Sequence, residues 1–358
     1  MACAGAPRPA RGREPAHGQR TTCGLRGRTP APQVSDLQRS LESVDRPRIR
    51  RPPSAPSNVV PVSDPDAAIR GAGRYQFLDV WVDRFTIDDF LHYVRCVTTA
   101  RRPTVIAHHN LNSLAICRRS PVIRSFYDQV DAVFVDGMGV VATARLVGAP
   151  IRAEHRLAVL DWIWPLLEMA ARERWHVMHL GGSEDVLDEA TRSILSRHPS
   201  LRLTCIDGYF DMDPGSTDGA DALARVQEGR PDLLLVGMGM PRQELWLLAN
   251  RHALPPCVVI TVGGIFSFLS GDRRAAPRWL GPLGLEWLFR LVSEPRRLWR
   301  RYLVEPLPLV LPVCGSALRR TSARVRRGGS APRQAGDRGA TGDVTSSGAG
   351  PGGTAGPS

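Results

Sequence analysis

The sequence predicts an α/β domain, a Rossmann-like, mostly parallel sheet flanked by helices, with an Arg- and Trp-rich helical appendage at its C-terminal end. Two observations predict it. Six short apolar runs, at 104–107, 132–135, 176–180, 201–206, 233–236 and 258–262, each end in a cluster of Gly, Asp, Asn or His. Amphipathic stretches of helical length separate most of them, as expected of parallel strands joined by crossover helices. Ligands bind beyond the carboxyl ends of such strands, so the polar clusters should converge on one crevice, which reads as an active site.

The elements follow in order. A strand over 75–82 opens the fold, and Thr86 is a good N-cap for a helix reaching residue 100. The first core strand runs into His108-His109-Asn110, with its helix at 121–130. The second runs into Asp136-Gly137-Met138-Gly139 and feeds a helix over 139–147. A strongly apolar helix over 157–172 offers Trp162, Trp164, Leu166 and Leu167 to the core. The third strand ends in Gly181-Gly182, with Ser183 placed to cap a helix over 184–197. Asp207-Gly208-Tyr209 closes the fourth, and a helix over 217–228 follows. Gly237-Met238-Gly239-Met240-Pro241 closes the fifth, and Pro241 suits the first turn of a helix over 241–252. Gly263-Gly264 closes the sixth. The stretch 284–303 is helical in period and dense in Arg and Trp. No repeat of 20–50 residues is present.

Composition divides the chain into a tail at 1–70, a core at 71–283, an appendage at 284–315 and a tail at 316–358. Both tails are rich in Arg, Pro, Gly, Ser or Ala and have too little to bury to offset their ordering entropy, so both are expected to be disordered. They also carry the charge. Of the net +12, residues 1–70 hold 12 Arg against 6 acids and residues 315–358 hold 7 Arg against 2 acids, which leaves the core near neutral. All 47 basic residues are Arg. Without aromatic interleaving or an RNA-binding motif, nucleic acid is not the expected partner. The seven cysteines form no CxxC pair and several lie in apolar runs, which fits buried reduced thiols in the cytosol. Neither a signal-peptide core nor an 18-residue apolar span is expected.

The chemistry sits at the strand ends. Asp136 follows an apolar strand, and Gly137 and Gly139 leave room for a ligand. A carboxylate so placed can act as a general base toward a hydroxyl, although the spacing also fits an Asp capping the next helix. Asn110 could hydrogen-bond a sugar or phosphate, and His108 lies beside it. Adjacent strand residues face opposite ways, so His108 and His109 should not share a metal. Gly181-Gly182 opens a helix whose N–H groups and dipole could hold a diphosphate. No GxGxxG is present, so a dinucleotide-dependent oxidoreductase is weakly supported. Arg242, Gln243 and Glu244 should place polar groups at the crevice, close to Gly237 and Gly263. Asp211-Met212-Asp213 matches a metal-holding DxD pattern but reads better as solvated loop acids. Arg290, Arg296, Arg297, Arg300 and Arg301, interleaved with Trp287, Trp299 and Tyr302, suit phosphate and a membrane interface.

Together these motifs resemble the WecG/TagA/CpsF family of bacterial glycosyltransferases (glycosyltransferase family 26). The resemblance runs from about 75 to 310. It is carried by HHNLNSL at 108–114, DGMGVV at 136–141, EHR at 154–156 with LDW at 160–162, and LGG at 180–182. It continues in GYF at 208–210, VGMGMPRQELW at 236–246, VGGIFSF at 262–268 and the Arg- and Trp-rich stretch 276–306. It implies an inverting transfer of a sugar, N-acetylmannosamine or a related one, from a UDP-sugar to a polyprenyl-diphosphate-linked saccharide in cell-wall or exopolysaccharide synthesis. No cofactor or essential metal is implied. The enzyme would lie at the cytoplasmic face of the membrane, peripherally attached, and self-association into a homo-oligomer is compatible with this. Asp136 matches the family's proposed base and Asn110 the Asn of its first motif. Arg290, Arg297 and Arg300 match an appendage thought to close over the site. The chain departs from many members at His108, Val159 and Ser267. A non-catalytic scaffold in a polysaccharide assembly complex is a further reading, against which the intact Asp136 argues.

Overall fold

The computed structural model describes residues 60–62, 73–213, 216–281, 283–307, 309–311, 313–315 and 318. Both expected disordered tails otherwise lie outside the described residues. Strand β1 (Val60–Val62) falls within the first of them and pairs antiparallel with β2 (Arg74–Phe77), so ordered structure begins before residue 71.

The single strand expected over 75–82 is instead a hairpin of β2 and β3 (Val80–Asp83). Leu78 and Asp79 turn the chain with φ of 48° and 64°, the paired left-handed geometry that suits strand twist. Asp79 tolerates this region and Leu78 does not favour it, so the local turn signal is weak. The hairpin docks through Asp83, which is fully buried. Its carboxylate accepts from Arg74 Nε at 2.8 Å and from the Val133 backbone N–H at 2.9 Å.

The main sheet has six parallel strands: β4 (Thr104–His109), β5 (Ala132–Val135), β6 (His176–Leu180), β7 (Arg202–Ile206), β8 (Leu233–Val236) and β9 (Val258–Thr261), in the spatial order β5-β4-β9-β8-β6-β7. Apart from mostly exposed or half-buried β7, its strands are almost wholly buried, as a sheet covered on both faces requires. Alternation divides the side chains between two cores. Val133, Val135, Leu234, Val236 and Val259 face one core; Ala132, Phe134, Leu233, Leu235 and Ile260 face the other.

Crossover helices cover both faces. The first core packs α2 (Leu111–Arg119), α3 (Pro121–Tyr127), α4 (Met138–Val147), α7 (Thr217–Gly229) and α8 (Arg242–Asn250). The second packs α1 (Ile87–Thr99), α5 (Val159–Arg172), α6 (Glu184–Arg197) and the short α9 (Phe266–Leu269). The connections β6→β7 and β8→β9 run in opposite directions from neighbouring strands, so the sheet has a switch point between β6 and β8.

Thr86 caps α1 through a reciprocal pair with Asp89, as its sequence predicts. Helix α2 has no counterpart in the sequence reading. Asn110 and Ser113 form its capping box, and Ser120 with Pro121 ends it by starting α3. The helical stretch expected over 284–303 is broken into α10 (Glu286–Ser293), α11 (Pro295–Trp299) and a wider turn, Arg300–Val304. Pro295 causes the break by pushing Glu294 out of the helical region, to φ −133° and ψ 60°.

The expectation of buried thiols is met by Cys117 and Cys257; Cys96 and Cys205 are half-buried and Cys314 is exposed. Among the described residues Cys96, Cys117, Cys205, Cys257 and Cys314 are free. Burial pushes the Cys257 thiol up to about 12, which leaves it unreactive. No helix among the described residues is long and apolar enough to cross a membrane.

Candidate active site

The carboxyl edge of the sheet presents, in spatial order, Asp136 after β5, Asn110 after β4, Gly263 after β9, Gly237 after β8, Gly181 after β6 and Asp207 after β7. The crevice expected from the sequence is therefore a row along one edge. Asp136 and Gly182 lie at the same edge but four strand spacings apart, roughly 19 Å at ~4.8 Å per strand.

Asp136 is half-buried. Its backbone N–H donates to the His109 carbonyl at 2.8 Å, and its carboxylate makes no hydrogen bond among the described residues. Gly137 follows as the N-cap of α4, with φ 94° and ψ 148°, a conformation essentially confined to glycine. A Cβ there would meet nothing within 4 Å, so the space beside Asp136 is open. The first turn of α4 carries no acidic residue. Its first-turn N–H groups open beside the Asp136 carboxylate, the nearest negative charge to them.

Asn110 sits beside this space in a different role from the one expected. Its Oδ1 accepts from the Ser113 backbone N–H at 3.0 Å, which fixes the carboxamide as the cap of α2. Its Nδ2 amide has no partner among the described residues and stays available to a ligand.

His108 does not project into the crevice. It is 3% exposed, its Nδ1 lies 2.9 Å from Thr261 Oγ1, and its ring stacks on Phe134. His109 faces the other core, stacked on Tyr127 with Nδ1 at 3.0 Å from Ser113 Oγ. The opposite facing of this pair is the alternation the sequence implies.

Gly181 and Gly237 serve close packing. A Cβ on Gly181 would come 2.4 Å from the Gly237 carbonyl carbon, and one on Gly237 would come 2.4 Å from His179 Cε1. Gly182 opens the turn into α6, but Glu184 and Asp185 occupy that helix's first turn. Their charges oppose a diphosphate there, so the Gly181-Gly182 turn is a poor anion site despite its amides. Both acids stand in the sequence directly after Gly181-Gly182-Ser183.

Gln243 and Glu244 are buried, at 0% and 1% exposed, and do not line the crevice as expected. Gln243 Nε2 donates to Glu244 Oε1 at 2.9 Å, while its Oε1 accepts from the Gly263 N–H at 3.3 Å. The pair braces the loops after β8 and β9 from beneath. Arg242 does similar work, donating to the carbonyls of Gly208 and Phe210 at 3.1 and 2.9 Å. Asp211 accepts from the Asp213 N–H within its own loop.

Among the appendage arginines, Arg290 lies 5.1 Å from the Phe268 ring centroid, with its Nε buried and without a hydrogen-bond partner among the described residues. Arg300 is exposed. The side chain of Arg297 lies outside the described residues.

One further polar residue near this edge has no local sequence signal for its role. Arg156 bridges Val135 at the end of β5, and its guanidinium reaches Asp161 at 2.8 Å and Glu286 at 3.2 Å. It belongs to the EHR motif at 154–156, but nothing local in the sequence says that it joins two carboxylates.

The sequence profile described as "Glycosyl transferase WecG/TagA/CpsF family" matches residues 75–323. The chain belongs to this family. Its relatives include proteins named N-acetylglucosaminyldiphosphoundecaprenol N-acetyl-beta-D-mannosaminyltransferase. The one from Bacillus subtilis is 32% identical over 187 residues, 51% of this chain and 70% of the relative. The one from Bacillus spizizenii is 29% identical over 189 residues, 52% and 70% of the two chains. That from Staphylococcus aureus is 25% identical over 207 residues, 55% and 79%.

Proposed function

We propose that the protein is an inverting glycosyltransferase that moves N-acetylmannosamine or a related sugar from a UDP-sugar to an N-acetylglucosaminyl-diphosphate-polyprenol. The observation that carries the reading is the state of Asp136: a carboxylate at the carboxyl edge, uncommitted to any hydrogen bond among the described residues, beside a glycine that leaves open space. The names of the relatives supply the sugar and the acceptor.

The mechanism is a single displacement. The acceptor hydroxyl attacks the anomeric carbon from the face opposite the diphosphate and transfers its proton to Asp136, while the bond to UDP breaks and UDP leaves with the electron pair. The leaving diphosphate, on the face of the sugar away from Asp136, is stabilised by guanidinium groups, with no essential metal. The uridine end of the donor extends along the edge toward Gly263 and Gly239. The appendage meets the membrane surface, where the lipid acceptor resides. Its exposed Trp287, Leu288, Val292 and Trp299, with Arg296 and Arg300, suit a headgroup interface.

The test is a screen of UDP-sugars with purified full-length protein and an N-acetylglucosaminyl-diphosphate-polyprenol acceptor, with and without a chelator. Transfer from UDP-N-acetylmannosamine that survives chelation supports the reading. The absence of transfer from every UDP-sugar would reject it.

A further inference from the structure

A tight turn brings Arg273 back over the strand ends. Helix α9 ends at Leu269, and Gly271 turns the chain with φ of 81°, a left-handed conformation that suits glycine. The Asp272 N–H donates to Ser270 Oγ at 3.2 Å, and the Arg273 N–H to the Ser267 carbonyl at 2.8 Å. The Arg273 side chain thereby returns to the loop that closes β9. A methyl group on Gly264 would lie 3.2 Å from Arg273 Nη1, so the guanidinium rests against the bare backbone of Gly264.

This cation is uncommitted. The side chain is 29% exposed, and the Glu294 carboxylate stands 3.8 Å from its Nε, beyond hydrogen-bond distance. The guanidinium makes no hydrogen bond among the described residues. Arg156 and Arg242, by contrast, already donate to protein oxygens. The N–H of Gly264, an exposed residue, also has no acceptor among the described residues. An amide and a guanidinium therefore open together beyond β9.

Their position suits one part of the donor. In the order β5-β4-β9, Gly264 stands two strands from Asp136, roughly 10 Å at ~4.8 Å per strand, with Asn110 between them. A sugar whose anomeric carbon lies beside Asp136 carries its diphosphate into this range. We infer that Arg273, with the Gly264 N–H, holds the diphosphate of a nucleoside-diphosphate donor. The inference rests on the proposed transfer reaction. As the anomeric C–O bond breaks, its electron pair stays on the phosphate oxygen. The diphosphate gains one negative charge, which the guanidinium beside it offsets. A guanidinium fork matches phosphate oxygens, and backbone amides freed at a glycine complete such a cradle.

The test titrates full-length protein with UDP by calorimetry and with uridine by ligand-observed NMR. Arg273→Gln should lose roughly 10- to 100-fold in UDP affinity, the scale of lost charge-assisted bonds, and keep its uridine affinity within about twofold. Gly264→Ala, whose methyl group crowds Nη1, should weaken UDP binding and spare uridine. Arg274→Gln removes the exposed neighbouring charge and should leave UDP affinity within about twofold, which separates Arg273 from net charge alone. UDP affinity of Arg273→Gln near wild type, equal losses for UDP and uridine, or no UDP binding by the wild-type chain overturns the inference. If Arg273→Gln does not fold, Gly264→Ala decides by the same two readings. Neither readout involves sugar transfer. Arg273-dependent UDP binding in a protein that transfers no sugar would reject the proposed reaction and keep the diphosphate site.

Discussion

His179 and Phe266 stack face to face at the carboxyl end of β6, with ring centroids 3.5 Å apart and planes within 4° of parallel. The imidazole is 1% exposed, and burial lowers its pKa from 6.5 to about 3. His109 on the opposite face is lowered to about 3 as well, by burial and then by His108. In both cases the folded state binds a proton less readily than the unfolded chain. Stability is therefore intact above pH 6.5 and is lost as pH falls from 6.5 toward 3, by up to about 1.4 kcal/mol per pH unit for each histidine. Melting temperature measured between pH 7 and pH 4 should fall steeply, and His179→Phe should flatten the slope. A slope unaltered by that substitution would assign the acid sensitivity elsewhere.

Asp136→Asn keeps the shape of the side chain and removes the base. Turnover should drop roughly 10²–10⁴-fold while the melting temperature and circular dichroism stay near wild type. Near-normal turnover would remove Asp136 from proton transfer.

The edge glycines should separate into two classes. Gly181→Ala drives a methyl group into the Gly237 carbonyl at 2.4 Å, backbone against backbone, and should cost about 2 kcal/mol or more of stability. Gly137→Ala meets open space and pays only for its unusual φ, about 1–3 kcal/mol. Its methyl group would, however, occupy space proposed for the donor. Gly137→Ala should thus weaken UDP binding at temperatures where it is folded. Denaturant melts and UDP titration of both variants check this.

Attachment to membranes should depend on the appendage surface. Val292 is 74% exposed and Trp299 48% exposed. Val292→Asp combined with Trp299→Ser should reduce co-sedimentation with anionic lipid vesicles. Arg296→Glu with Arg300→Glu should do so most at low salt, where charge attraction is least screened. Undiminished sedimentation of both double variants would place the membrane contact elsewhere.

The sequence shows the parallel strands and most helices because their periods are local properties of the chain. It shows Asp136 and Gly137 as a site for the same reason: a carboxylate and a glycine following a buried strand are neighbours in sequence. Other features depend on contacts between distant segments. The hairpin turn at Leu78-Asp79 is backed by the docking of Asp83 against β5, since Asp79 alone is a weak turn signal and Leu78 none. Gln243 and Glu244 read as crevice residues because they are polar, yet they are buried where they brace the Gly263 loop. Arg156 gains its meaning only from Glu286, far along the chain. The Gly181-Gly182 turn has the pattern of an anion site, and the exposed Glu184 and Asp185 that follow weigh against an anion there.

The clasp of Asp83 on the Val133 N–H, together with the bond from Leu157 to the Val135 carbonyl, satisfies outward-facing backbone groups on the outermost strand β5. One rim of the main sheet is thus sealed against the addition of a further strand. The opposite rim is β7, whose residues alternate between exposed and half-buried. A second copy joining this sheet by strand addition would have to attach there, at the end far from Asp136, leaving the reaction face uncovered.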